Sequence, residues 1–281
     1  MTAVECRNAF LQALGDAGLA MLKPDPIGDS ALHRYRVEGD KAGSLNGWYV
    51  LHLDDQPFGA FGSWKTGQSC TWSASRPETM SPAERAALAA RRAEAKRARD
   101  AEQAAVQAAA ARRAGQLWRK SRPATNKHPY LVRKRVQAYG IRVLGPSLVI
   151  PLRDAAGALH SLQFIGEDGH KSFLTGGRKR GCYYAIGRPE SALCICEGYA
   201  TAASIYEATG YATASAFDAG NLEPVARALR AKFPRLRLIL CADNDAGTTG
   251  NPGIRFAEAA ARAVRGFLAF PLFTGASPWA P

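Results

Sequence analysis

The sequence predicts an α/β fold whose carboxyl-terminal part is a parallel sheet, and three observations predict it. Residues 191–281 alternate short apolar runs with helical segments at the spacing of strand–helix–strand crossovers. Residues 123–190 carry paired apolar runs separated by Gly and Asp turns, the texture of β-hairpins. Residues 77–122 are almost all Ala, Arg, Lys, Glu and Gln, the strongest helix formers, and they divide that half from a small α+β segment at 1–76.

In chain order, residues 2–19 read as an amphipathic helix, with Phe10, Leu11, Leu14 and Leu19 recurring at helical spacing. A Pro/Gly/Asp loop follows, and then alternating runs at 32–37, 47–53 and 58–64, which predict a small sheet of about four strands. Trp48, Tyr49, Trp64 and Trp72 in this sheet fit two roles, a stacking surface for bases or ordinary core packing. Ser81, Pro82 and Glu84 form a helix start, the hydroxyl as cap, the proline in the first turn and the carboxylate completing a capping box. The helix they open runs to Trp118, roughly 55 Å at 1.5 Å per residue. Ala fills its candidate seam positions, so it is no coiled coil; a solvated connector is the first reading and phosphate contact a second.

From Asn126 the texture is globular. An apolar strand at 148–152, the turn Asp154-Ala155-Ala156-Gly157 and a partner strand at 159–165 make a hairpin. Lys171-Ser172-Phe173-Leu174 follows a second turn and leads into a Gly/basic loop, Gly176-Gly177-Arg178-Lys179-Arg180-Gly181. Strands are then expected at 192–196, 211–217, 236–242 and 267–270, with helices at 200–208, 222–232 and 254–264 between them. Continuous apolar strands suit a sheet covered on both faces.

The 281-residue chain has 47% hydrophobic residues, enough to fill a core. Its formal charge of +13 favours a polyanionic partner, nucleic acid before a membrane surface. Cysteines 6, 70, 182, 194, 196 and 241 form no C-x-x-C pair, so a zinc ribbon is not expected, and Cys194 and Cys196, inside an apolar run, read as reduced core residues of a cytoplasmic protein. The first 22 residues carry acids and no continuous apolar stretch, so a secretory signal is not expected, and no run approaches the roughly 20 apolar residues of a membrane span.

Ligands of an open parallel sheet bind at the carboxyl ends of its strands. There Glu197 follows the first strand of the carboxyl-terminal segment, Asp218 the second, and Asp243 and Asp245 the third. Acids gathered at adjacent strand ends repel one another unless a cation lies between them, and an oxygen-only donor set selects a hard ion, Mg²⁺ or Mn²⁺. Asp218 also suits a helix N-cap, and Asp243-Asn244-Asp245 a turn; Gly198 lets backbone approach a substrate.

Glu197-Gly198-Tyr199-Ala200-Thr201-Ala202, with Asp243-Asn244-Asp245 on the third strand, resembles the Toprim domain, a Rossmann-like parallel sheet, of TraC-type primases of conjugative plasmids and of related phage primases. The residues from Pro151 to Leu174 are similar to the β-rich segment before the Toprim core of bacterial primases, and His128-Pro129-Tyr130-Leu131 to its entry. That resemblance implies a Mg²⁺- or Mn²⁺-dependent nucleotidyltransferase that joins ribonucleotides on a single-stranded DNA template, with a replicative helicase as a further partner and no membrane role. It implies Glu197 as metal ligand or acid/base group, Asp243 and Asp245 as metal ligands, and Lys171, Arg178, Lys179 and Arg180 facing phosphates, although the last three also read as a solvated turn. The tail Gly275–Pro281 departs from the family pattern, which continues with a further acidic, Asn-containing stretch. Two other readings use the same residues: a Toprim nuclease, and a single-stranded-DNA-binding accessory protein without turnover.

Overall fold

Thr2 opens the first helix, α1 (Ala3–Asp16), by a capping box: its hydroxyl accepts from Glu5 N at 3.3 Å and the Glu5 carboxylate accepts from Thr2 N at 2.7 Å. In this computed structural model the described residues are 1–54, 57–63, 66, 68–74, 81–244 and 251–271. They divide into two units, Met1–Glu102 and Gln103–Pro281.

In the first unit the buried stripe of α1 (Cys6, Phe10, Leu14) lies on a four-stranded antiparallel sheet, β1 (His33–Tyr35), β2 (Gly47–His52), β3 (Phe58–Ser63) and β4 (Ser69–Ser73), paired in chain order. Phe10 makes edge contacts with Tyr49, Phe61 and Trp72 at 5.5–5.8 Å between centroids. Trp48 and Tyr49 are buried. Core packing therefore accounts for Tyr49 and Trp72, and Trp48 is buried against Gly62; Trp64 lies outside the described residues.

Helix α2 (Pro82–Lys120) begins at the predicted proline and is 39 residues long. The Glu84 side chain lies outside the described residues, and with it the predicted capping box. Within the first unit Leu88 is buried, Arg91 pairs with Asp54, and the Arg91 and Arg92 guanidiniums lie over the Phe58 ring. Within the second unit Ala110 and Ala114 are buried, and Ala114, Leu117 and Trp118 pack on Val149, Leu162 and Leu174. Ala110 and Ala114 thus belong to a contact face, while most other alanines of the helix and Arg112, Arg113, Arg119 and Lys120 are exposed.

The second unit continues with β5 (Arg122–Pro123), α3 (Pro129–Lys134), β6 (Arg142–Leu144), β7 (Ser147–Arg153), β8 (Leu159–Ile165) and β9 (Lys171–Phe173). These strands form one antiparallel sheet in chain order. Then come β10 (Tyr184–Ile186), β11 (Ala192–Cys196), α4 (Tyr199–Thr209), β12 (Ala212–Ser215), α5 (Leu222–Lys232), β13 (Arg237–Cys241), α6 (Pro252–Val264) and β14 (Phe267–Ala269). Their sheet order is β10-β12-β11-β13-β14, parallel except for β10, which runs antiparallel to β12. One core joins α5 and α6 to this sheet. A second core, on the side of α4, takes in Leu148, Ile150, Leu152 and Ile165 of the antiparallel sheet together with Tyr130 and Leu131. The β-rich segment and the parallel sheet are thus one unit with shared apolar packing.

All six cysteines are free thiols, four of them buried. Among the described residues no helix is long and apolar enough to cross a membrane. The acid-free tail lies outside the described residues.

Candidate active site

Strand β11 is buried over all five of its residues, so Glu197 is the first polar side chain to emerge from it, at its carboxyl end. Two bonds hold that end: Ala216 N donates to Cys196 O at 2.8 Å and the buried Ser215 hydroxyl to Glu197 O at 3.0 Å. Gly198 then caps α4 at φ −107° without a side-chain bond, leaving the positive end of that helix beside Glu197. A methyl group built on Gly198 meets the Thr201 hydroxyl at 3.7 Å and the Lys171 ammonium at 3.8 Å. Lys171, from edge strand β9, therefore reaches the Glu197–Gly198 turn.

Asp243 follows β13, the neighbour of β11 on the other side from β12. Ala242 N donates to Ala269 O at 2.9 Å, so the strand pairing extends to the residue before the acid. The fully buried Cys196 thiol is pushed well above its ordinary pKa, first by burial, then by its neighbours Asp243, Cys194 and Glu197, so both acids lie close enough to act on this one group. Two carboxylates from adjacent strand ends, with no nitrogen donor, suit a hard divalent cation. Among the described residues no group of three His, Cys, Asp or Glu side chains is gathered around one point. Asp245 lies outside the described residues.

The remaining residues of the Glu-Gly-Tyr-Ala-Thr-Ala string build the support. Tyr199 is buried, and its hydroxyl donates to Gln137 O at 2.7 Å and accepts from Tyr139 N at 2.9 Å, tying α4 to the entry segment. Burial pushes its phenol pKa up. Ala202 is buried where the Thr213 hydroxyl donates to its carbonyl at 3.0 Å, a close helix-to-strand approach that a larger residue would block.

The basic loop splits by residue. Lys179 pairs with Asp218, and Asp218 also caps the single 3-10 turn Ala219–Asn221 by accepting from Asn221 N at 3.0 Å, the capping role its position predicts. Arg178 is half-buried, and one of its amino groups lies 3.0 Å from Asp154 Oδ2 and 2.8 Å from His160 Nε2. Arg180 is exposed. Lys171 and Lys179 thus flank the strand ends, and Asp218 engages the Lys179 charge as Asp154 engages that of Arg178.

Asn221 is the functional support that sequence reasoning missed. It is 3% exposed; its Oδ1 accepts from Gly181 N at 2.8 Å and its Nδ2 lies within 3.2 Å of the carbonyls of Lys179, Cys182 and Ala216. One amide therefore pins the basic loop to the end of β12. The only sequence signal was an Asn after a strand-end acid, which reads as local turn chemistry.

The Toprim domain family matches residues 191–269. The chain is 42% identical over 286 aligned residues to a DNA primase TraC of Escherichia coli, covering 96% of this chain and 20% of the relative. It is 39% identical over 285 residues to a second DNA primase TraC of Escherichia coli, covering 96% of this chain and 27% of that one. The chain thus spans about a fifth to a quarter of the length of these curated relatives. Among solved structures, the primase fragment of the bacteriophage T7 primase-helicase protein matches 55% of this chain and 66% of its own, at 14% identity and a TM-score of 0.41. Residues 191–269 match the Toprim domain family, and the chain is similar along nearly its whole length to a part of two proteins named DNA primase TraC.

Proposed function

We propose that this chain is a primase, a nucleotidyltransferase that synthesises short RNA primers on single-stranded DNA with Mg²⁺ or Mn²⁺. The observation that carries the reading is the placement of Glu197 and Asp243 at the carboxyl ends of adjacent strands, with the Lys171 ammonium at the Glu197–Gly198 turn. Glu197, Asp243 and Asp245 are the residues to hold the metal. Bound there, a divalent ion supplies charge neutralisation for a triphosphate and orientation for the attacking hydroxyl. Lys171 adds positive charge on the side of β9, where it offsets phosphate charge in the approach to the acids, and Lys179 adds a second ammonium there, which Asp218 holds in place. Gly198 leaves the start of α4 open to a phosphate oxygen. Single-stranded DNA and ribonucleotides are the substrates, a replicative helicase is the candidate partner, and the cytoplasm is the compartment where these meet.

The test is template-directed incorporation of labelled ribonucleotides on single-stranded DNA, comparing the wild-type chain with Glu197→Gln and with wild type in excess chelator. Short products from the wild type that disappear in both controls are expected. A folded wild-type chain that binds DNA and yields no product removes the primase reading.

A further inference from the structure

Among the described residues with positive φ outside glycine, Arg135 and Arg265 close α3 and α6, where the left-handed region is common, Ser30 lies in a bend and Asn251 precedes α6. Phe217 is the bulky aromatic residue among them. At φ 74° it stands two residues beyond β12 and directly before Asp218, a conformation that strains a bulky residue and that surrounding packing must enforce. Its buried ring meets the ring of Phe173 edge-on, with centroids 6.1 Å apart at 84°. Phe173 lies on the edge strand β9 and remains 36% exposed. The Lys179 ammonium, paired with Asp218, lies 5.2 Å from the Phe173 centroid. Lys171 is two residues before Phe173, hence on the same face of the strand, and its ammonium reaches Gly198. An aromatic surface is thus held by a strained partner between two lysines beside the acidic strand ends. A flat π-surface next to cations fits a nucleobase joined to its phosphate.

We infer that Phe173 is a stacking platform for a nucleobase, with Phe217 as its buried support and Lys171 and Lys179 as contacts for the attached phosphate. This rests on the reading of the site as one for nucleotidyl transfer. The base comes either from a ribonucleotide or from the single-stranded template, and the chemistry that recognises it is the same. Phe173 is a positioning residue: it holds the base, and Glu197 and Asp243 face the reacting phosphate.

The experiment measures binding by calorimetry of the whole chain to four probes: ATP, inorganic tripolyphosphate, a thymidine oligonucleotide, and an abasic oligonucleotide of the same length. Each is titrated into wild type, Phe173→Leu and Phe173→Trp. Phe173→Leu is expected to weaken ATP or the thymidine oligonucleotide by roughly five- to tenfold, the modest end of base–aromatic stacking for a partly exposed ring. Tripolyphosphate and the abasic strand keep their affinities, and Phe173→Trp restores the lost one. The base-bearing probe that responds identifies the source of the base. Equal losses for probes with and without a base, unchanged affinity for all four, or no binding of either base-bearing probe by wild type overturns the inference. A base-selective loss in a chain that makes no primers sinks the primase reading and leaves the platform standing; primers made with no base-selective loss do the reverse.

Discussion

Replacing Asn221 by Ala removes the clamp between the basic loop and the parallel sheet. The wild-type amide is 3% exposed and engages four backbone groups, Gly181 N and the carbonyls of Lys179, Cys182 and Ala216. They do not weigh equally. Lys179 O also accepts from Cys182 N at 2.9 Å, so it keeps a partner when Asn221 is gone. Gly181 N–H loses its acceptor, and a donor left unsatisfied in a protected site costs about 1–3 kcal/mol. Each net hydrogen bond lost at the buried Cys182 and Ala216 carbonyls adds roughly 0.5–1.5 kcal/mol. The sum is about 2–6 kcal/mol, a large part of the roughly 5–15 kcal/mol that holds an ordinary domain together. The assay is equilibrium urea unfolding, with amide hydrogen exchange at Gly181 as the local readout. Asn221→Ala should lower the midpoint while the chain stays folded in water, and Gly181 should exchange far faster. A loss under about 1 kcal/mol at unchanged m-value, with Gly181 still protected, would falsify the clamp.

Two further substitutions test the framework around the site. Tyr199→Phe keeps the ring and deletes the hydroxyl that bonds Gln137 O and Tyr139 N, so it should cost about 1–3 kcal/mol in urea unfolding; a cost below about 0.5 kcal/mol removes Tyr199 as the tie to the entry segment. Burial works against the Asp154 carboxylate, but the His160 hydrogen bond and the amides of Ala158 and Ala156 outweigh it and leave its pKa below 3.8. A depressed folded pKa stabilises above the unfolded value and loses that stabilisation as pH falls through the folded one. The urea-midpoint gap between wild type and Asp154→Asn should therefore be full at neutral pH and close below about pH 4. A gap of the same size at pH 6 and pH 3 contradicts the network.

Local periodicity located most of the second unit. The helix at 222–232 is α5 residue for residue, and the apolar runs after Ser191 are β11 and β13 to within a residue or two. The run from Tyr211 to Phe217 was too long as a strand: β12 ends at Ser215, because tertiary packing turns Phe217 to φ 74°. Strand β10 was not legible at all. Three residues between Gly181 and Gly187 carry no readable alternation, and they are a strand only because β12 lies beside them. The aromatics of the first unit illustrate the same limit. Tyr49 and Trp72 allow either base stacking or packing until Phe10, far away in the chain, arrives to pack against both.

The sequence by itself determined the alternation of strands and helices and the position of Glu197 and Asp243 at strand ends. An apolar run ends where the first charged residue cannot be buried, and that is a local property. Only the tertiary structure decided which basic residues lie near those strand ends and what they pair with. Lys171 and Gly198 are far apart in the chain, yet the lysine arrives at the turn because the antiparallel sheet shares a core with α4. Arg178 and Lys179 are adjacent and chemically alike, yet Asp154 and His160 hold one and Asp218 the other. A polar side chain reads the same in sequence whether its partner is water, a buried carbonyl or a distant carboxylate. The choice is made by what long-range packing brings within about 3 Å, the reach of a hydrogen bond.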